Sequence, residues 1–202
     1  EGLEHFYTYE GKYLQQVGYS RMVNIIKEDD FNSIMSNPAN CDEQCDLENH
    51  SYATGMNNDF VVRMAGLAYS ESGYDETAAR AIPNAIFNHH NQIKRSGLAK
   101  FGPSWGLDKS LYKMRNSWTD KEYAVGNTTV SGGNPAFRDF LGMKSEAANM
   151  PSLMQNALGR NNNVLMKNAF KYTIDAIILY KTGKGTDYSK GGIGWHGIDI
   201  IT

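Results

Sequence analysis

A change of period at Asn58 constrains this chain more than any other feature. From there Phe60, Met64, Leu67 and Ala68 recur at spacings of three and four, which places them along one face of an α-helix. Asn57 and Asn58 stand where a cap would start that helix, and Gly73 stands where one would end it. A second helix is predicted to open at Asp75, whose short acceptor side chain suits an N-cap, with Glu76 in the first turn where negative charge is favoured. Its apolar positions run through Ala79, Ile82, Ile86 and Ile93 to Gly97, and Pro83 should kink it.

The flanking segments read differently. Phe6, Tyr7 and Tyr9, the turn Glu10-Gly11-Lys12, then Tyr13, Leu14 and Val17, and finally Met22, Val23, Ile25 and Ile26 give the aromatic and β-branched pattern of short strands. Residues 28–56 are polar, rich in Asn and Asp, and contain Pro38 and both cysteines, which predicts a connecting loop. Residues 97–135 hold Trp105, Trp118 and a Val-Ser-Gly-Gly-Asn-Pro run and read as long loops. Short helices are expected at 136–142 and 151–158, and a long one from Val164 to Thr182 with Leu165, Phe170, Ile174, Ile177 and Ile178 as its apolar face. From Gly183 the tail is glycine-rich and is predicted to be irregular. The expected fold is α+β and predominantly helical, with a small β-hairpin extension and cysteine-containing loop over residues 1–55 and the main domain over 56–202.

Charge narrows the partners. The formal net charge of −2 over 202 residues supplies no positive field for a phosphate backbone, so nucleic acid is not expected as a ligand. The apolar run between Ala169 and Tyr180 is interrupted by Lys171 and Asp175 and falls short of the ~20 apolar residues that cross a bilayer; no membrane insertion is expected. Cys41 and Cys45 are the only cysteines, and their spacing could close a short disulfide. Zinc would want about two further ligands. His50 is the only one nearby, so neither a metal nor another cofactor is expected.

Glu71 is the residue out of place. It follows Met64 by seven, Leu67 by four and Ala68 by three, so it belongs to the face that buries Phe60 and Leu67. It also falls in the last turn before Gly73, at the electronegative end of the helix dipole. Partial burial and the dipole both penalise the ionised form, which is how a carboxyl group is prepared to act as a general acid.

The run Ala68-Tyr69-Ser70-Glu71-Ser72-Gly73-Tyr74-Asp75-Glu76, continuing through Ala78-Ala79 to Asn84-Ala85-Ile86-Phe87-Asn88, resembles the core of the SleB-like cell-wall hydrolases. Glu71-Ser72-Gly73-Tyr74 is also similar to the Glu-Ser-Gly-aromatic motif of soluble lytic transglycosylases. Thr186-Asp187-Tyr188-Ser189-Lys190-Gly191-Gly192 resembles the segment that follows the last helix of those hydrolases, with Tyr188 where a proline is usual. The resemblance implies a lysozyme-like fold and cleavage of peptidoglycan glycan strands, with Glu71 as sole catalytic carboxylate. The opening Tyr9-Glu10-Gly11-Lys12-Tyr13-Leu14 and the closing Gly194-Trp195-His196-Gly197-Ile198-Asp199 resemble segments of antibacterial effectors delivered by type VI secretion. That likeness implies a secreted toxin domain acting in a rival's periplasm, and a cognate immunity protein.

Glycoside cleavage uses a proton donor and commonly a second carboxylate ~5–9.5 Å away, for which Asp75, Glu76 and Asp187 are candidates. Otherwise a substrate hydroxyl or acetamido group attacks and Glu71 serves as acid and then base. Tyr69, Tyr74, Tyr188 and Trp195 are candidate stacking surfaces for sugars, and Ser72, Asn88 and Ser189 are candidate hydrogen-bonding groups, with Asp187 beside them. Tyr69 and Trp195 suit a core equally well, and Asn88 suits a helix end. His89 and His90 point about 100° apart on a helix and are expected on a solvated face. Two rival functions remain: a cysteine amidase using Cys41 or Cys45 with His50 or His196 as base, and a non-catalytic glycan-binding module.

Overall fold

The computed structural model describes residues 5–17, 22–36, 43–72, 75–95, 164–196 and 199–201. Its chain order is β1 (His5–Tyr7), β2 (Tyr13–Gln16), β3 (Met22–Ile25), α1 (Glu28–Met35), α2 (Glu43–His50), β4 (Tyr52–Asn57), α3 (Asn58–Glu71), α4 (Glu76–Arg95), α5 (Val164–Thr182), β5 (Gly194–His196) and β6 (Asp199–Ile201). The fold is mixed α+β.

Four strands form one sheet in the order β2-β1-β3-β4. β1 pairs antiparallel with β2, with Phe6 opposite Gln15, and parallel with β3, with Phe6 opposite Asn24. β4 closes the other edge, antiparallel to β3. Strand geometry turns successive side chains to opposite faces, and both faces here are covered. Tyr7, Val23 and Ile25 belong to the main hydrophobic cluster with α3, α4 and α5. Phe6 and Ile26 belong to a second cluster with Phe31 of α1 and Leu47 of α2. That is why adjacent Phe6 and Tyr7 are both almost wholly buried.

The polar stretch 28–56 is therefore not a connecting loop: it carries α1, α2 and most of β4. α1 places Glu28, Asp29 and Asp30 in its first turn, where they complement the helix dipole. Each of these helices is eight residues long, too short to be stable by propensity alone, and the apolar contacts to Phe6 and Ile26 hold them in place. Residue 55, where the composition changes, falls inside β4, and one core extends on both sides of it.

α3, α4 and α5 pack on one another. α4 buries Ala78, Ala79, Ala81 and Ala85 together with the larger Ile82, Ile86 and Phe87. It continues as one helix through Pro83, whose missing N–H leaves the Ala79 carbonyl without its usual donor. α5 buries Phe170, Ile174 and Ile177 as the sequence pattern predicts. Aromatic contacts knit the layers: Tyr7 stacks on Phe170 with ring centroids 5.7 Å apart, and Phe87 stacks on Tyr180 at 4.5 Å. The buried Tyr7 hydroxyl donates to Asn58 Oδ1 at 2.7 Å, tying sheet to α3, and burial followed by the nearby Tyr13 holds its pKa well above that of an ordinary tyrosine.

The β1–β2 turn is pressed onto the middle of α5. Gly11 has φ of +80°, and a Cβ there would lie 2.4 Å from the Lys171 amide nitrogen and 2.7 Å from the Phe170 carbonyl carbon. Only glycine allows that approach. The tail is irregular from Gly183 to residue 193, but β5 and β6 then pair as an antiparallel hairpin with Trp195 opposite Ile200, and it packs on α4. The loops expected over 97–135 and the short helices expected at 136–142 and 151–158 fall outside the described residues. No described helix is long and apolar enough to cross a membrane.

Candidate functional site

α3 ends at Glu71. Met64 and Ala68, seven and three residues before it, are fully buried, and Phe60 is 3% exposed, so the apolar face predicted for this helix is the face it buries. No basic residue stands in the last turn of α3 to offset the negative end of its dipole. The Glu71 side chain itself lies outside the described part, as do Tyr74 and Cys41 entirely and the side chains of Cys45, Trp195 and His196.

The turn that leaves Glu71 is fixed by its neighbours. The Ser72 hydroxyl donates to the Tyr69 carbonyl at 3.1 Å, and the Asp75 N–H donates to the Ser72 carbonyl at 2.9 Å. Ser72 is 2% exposed, and its hydroxyl closes the end of the helix. Asp75 acts as the N-cap read from the sequence, its Oδ1 accepting from the Ala78 N–H at 2.8 Å. Tyr69, 8% exposed, takes its place in the core cluster.

Four other residues singled out in the sequence do come together. Asn88, in the body of α4 rather than at its end, donates through Nδ2 to Asp187 Oδ2 at 2.9 Å, Ser189 Oγ at 3.0 Å and the Gly192 carbonyl at 3.2 Å. Asp187 Oδ1 accepts from the Ser189 N–H at 2.9 Å and from its hydroxyl at 2.6 Å, and Oδ2 accepts from the Gly191 N–H at 2.9 Å. Partial burial pushes the Asp187 pKa up, but the bonds from Ser189, Asn88 and Gly191 outweigh it and leave it below the ordinary aspartate value. Lys190, with φ of +52°, and Gly191, with φ of +85°, take the left-handed backbone that aims these amides inward. The Tyr188 N–H donates to Asn84 Oδ1 at 3.1 Å. Asn84, buried at 4% exposure, was not singled out by sequence reasoning, yet it lies one helical turn before Asn88, a spacing that marks a shared face.

Beside this loop, the Arg80 guanidinium lies over two rings, 5.0 Å from the Tyr172 centroid and 5.5 Å from that of Tyr188. Its Nη2 donates to Glu76 Oε1 at 2.9 Å, and the Tyr172 hydroxyl donates to the same oxygen. The Tyr172 bond first, and Arg80 with it, holds Glu76 below the ordinary glutamate value. Arg80 and Tyr172 carried no motif, because only the approach of α4 and α5 brings them together.

His90 departs from the expected solvated face: it is 7% exposed, edge-on to Tyr180 at 6.1 Å, because α4 is covered by α5 on that side. Cys45 falls in the first turn of α2 and His50 in its last. The His50 Nδ1 N–H donates to the Asp46 carbonyl at 2.8 Å, which leaves Nε2 as the acceptor nitrogen of that ring. No three His, Cys, Asp or Glu side chains form a metal-holding group among the described residues. Compared with protein-family models, curated proteins and solved structures, the chain matches none.

Proposed function

We propose that the chain cleaves peptidoglycan glycan strands, as a muramidase or lytic transglycosylase, with Glu71 as general acid and base on a lysozyme-like arrangement of helices. The observation that carries this reading is the position of Glu71. It ends a helix whose face three and seven residues earlier is fully buried, at the dipole's negative end, on a turn held by Ser72 and Asp75. A carboxyl group on that face and at that end favours its protonated form.

The three other carboxylates that could act as a second catalytic group favour a single-carboxylate mechanism by the roles they already fill. Asp75 caps α4, Asp187 organises its own loop, and Glu76 is shared by Arg80 and Tyr172. With each already partnered, a hydroxyl or acetamido group of the substrate is the nucleophile that best fits; Glu71 gives its proton to the leaving oxygen, which departs as an alcohol, and then accepts a different proton from the hydroxyl that attacks the sugar or from the hydroxyl or water that resolves an acetamido intermediate. The biological setting that accompanies this reading is a secreted antibacterial effector acting in a rival's periplasm, restrained at home by an immunity protein.

Digestion of purified sacculi, read by mass spectrometry, tests it. The wild-type chain releases muropeptides and Glu71→Gln does not; anhydro ends identify a transglycosylase and reducing ends a hydrolase. Lysis by Glu71→Gln at the wild-type rate refutes the assignment. Full activity after replacement of Cys41 and Cys45 by alanine removes the amidase alternative.

A further inference from the structure

We infer that Tyr188, Arg80 and Glu76 form a saccharide-binding subsite on the outer face of α4, which takes the flat face of a neutral sugar ring on Tyr188 and its hydroxyl or acetamido groups on the Arg80–Glu76 pair. The assignment rests on the proposed glycan substrate for its choice of ligand.

Tyr188 is one of three large hydrophobic side chains exposed among the described residues, at 42%. Its backbone is anchored from α4. Its backbone N–H is held by Asn84, and the residues on either side of it, Asp187 and Ser189, are both held by Asn88. Its ring lies under the Arg80 guanidinium. A ring fixed before the ligand arrives loses little freedom on binding. Arg80 and Glu76 are likewise braced by Tyr172 from beneath, which is 5% exposed, while their own side chains stay 40% and 51% exposed.

Charge selects the occupant. An anion would meet the Glu76 carboxylate, which already claims an Arg80 Nη; a cation would meet Arg80. The paired charges cancel and leave donors and acceptors along the edge of the Tyr188 ring, which Arg80 covers on one face only and which stays 42% exposed. A neutral ring with an apolar face and a rim of hydroxyls matches both halves of that surface.

The test is calorimetric titration of chitotetraose, a neutral N-acetylglucosamine oligomer, into the full chain carrying Glu71→Gln so that no turnover occurs. Adding Tyr188→Ala weakens binding about tenfold or more, and Tyr188→Trp restores it. Unchanged affinity in Tyr188→Ala, or no binding of chitotetraose before that change, overturns the subsite. If Tyr188→Ala also lowers the thermal midpoint, Tyr188→Leu decides: affinity lost in a chain that melts with its parent supports the subsite, and affinity kept makes the ring a loop brace only. Sacculus digestion separates the two proposals. Tyr188-dependent binding without muropeptide release by wild type leaves the subsite and sinks cleavage, whereas normal release by Tyr188→Ala with unchanged affinity does the reverse.

Discussion

Replacing Asn88 with alanine removes the side chain that joins α4 to the 187–192 loop. Its amide has two N–H groups and three acceptors within 3.2 Å, so at most two full bonds are lost. One goes to a carboxylate, worth about 1.5–3 kcal/mol, and one to a neutral oxygen, worth about 0.5–1.5 kcal/mol. Because Asp187 is half-buried and water can replace part of the donor, we expect a net loss of about 2–3 kcal/mol. For a chain of this size that lowers the thermal midpoint by about 4–12 °C. Calorimetry or circular dichroism at neutral pH measures it. A double-mutant cycle identifies the cause: with Asp187→Ala as partner, the combined loss falls short of the sum by about 1–2 kcal/mol, since the Asn88–Asp187 bond is counted in both single changes. A loss below about 0.5 kcal/mol for Asn88→Ala, or additivity within about 0.5 kcal/mol, refutes the view that this bracket holds the loop.

Gly11→Ala and Gly183→Ala form a matched pair, with φ of +80° and +70°, but only the first would drive a Cβ into backbone; denaturant unfolding should give about 1–2 kcal/mol for Gly183 and a further ~1–3 kcal/mol for Gly11, and equal losses would contradict the close approach to α5. Asp75→Ala should cost about 1 kcal/mol through loss of the α4 cap and Asp75→Asn much less, measured the same way. The Asp187 pKa is lowered on folding, so its contribution is fully present above the unfolded aspartate value of about 3.9 and is lost as pH falls through the lower folded value; Asp187→Asn should flatten this acid limb of a stability-against-pH curve, and an unchanged limb would show that the carboxylate is not the group being titrated.

The helices at Asn58–Glu71 and Val164–Thr182 and the Asp75 cap were legible in the sequence because each rests on local periodicity or a short-range hydrogen bond. So were the three N-terminal strands. α1 and α2 were not, since helices of two turns leave too short a period to read and depend on Phe6 and Ile26 to cover them. His90 looked like a surface residue because α5, which brings Tyr180 beside it, lies some ninety residues further along the chain.

Within the candidate site the division is the same. Sequence alone placed Glu71 at a helix end, three and seven residues beyond the positions that prove to be buried, because helical spacing and the dipole are local properties of that segment. Asn88, Asp187 and Ser189 could be named from it, but their bonding across about a hundred residues could not. Nor could the spending of the Ser72 hydroxyl on a helix carbonyl, or the meeting of Arg80 with the two tyrosines. Those outcomes depend on how α4, α5 and the chain after them pack, and packing is decided by the whole core rather than by any one stretch of residues.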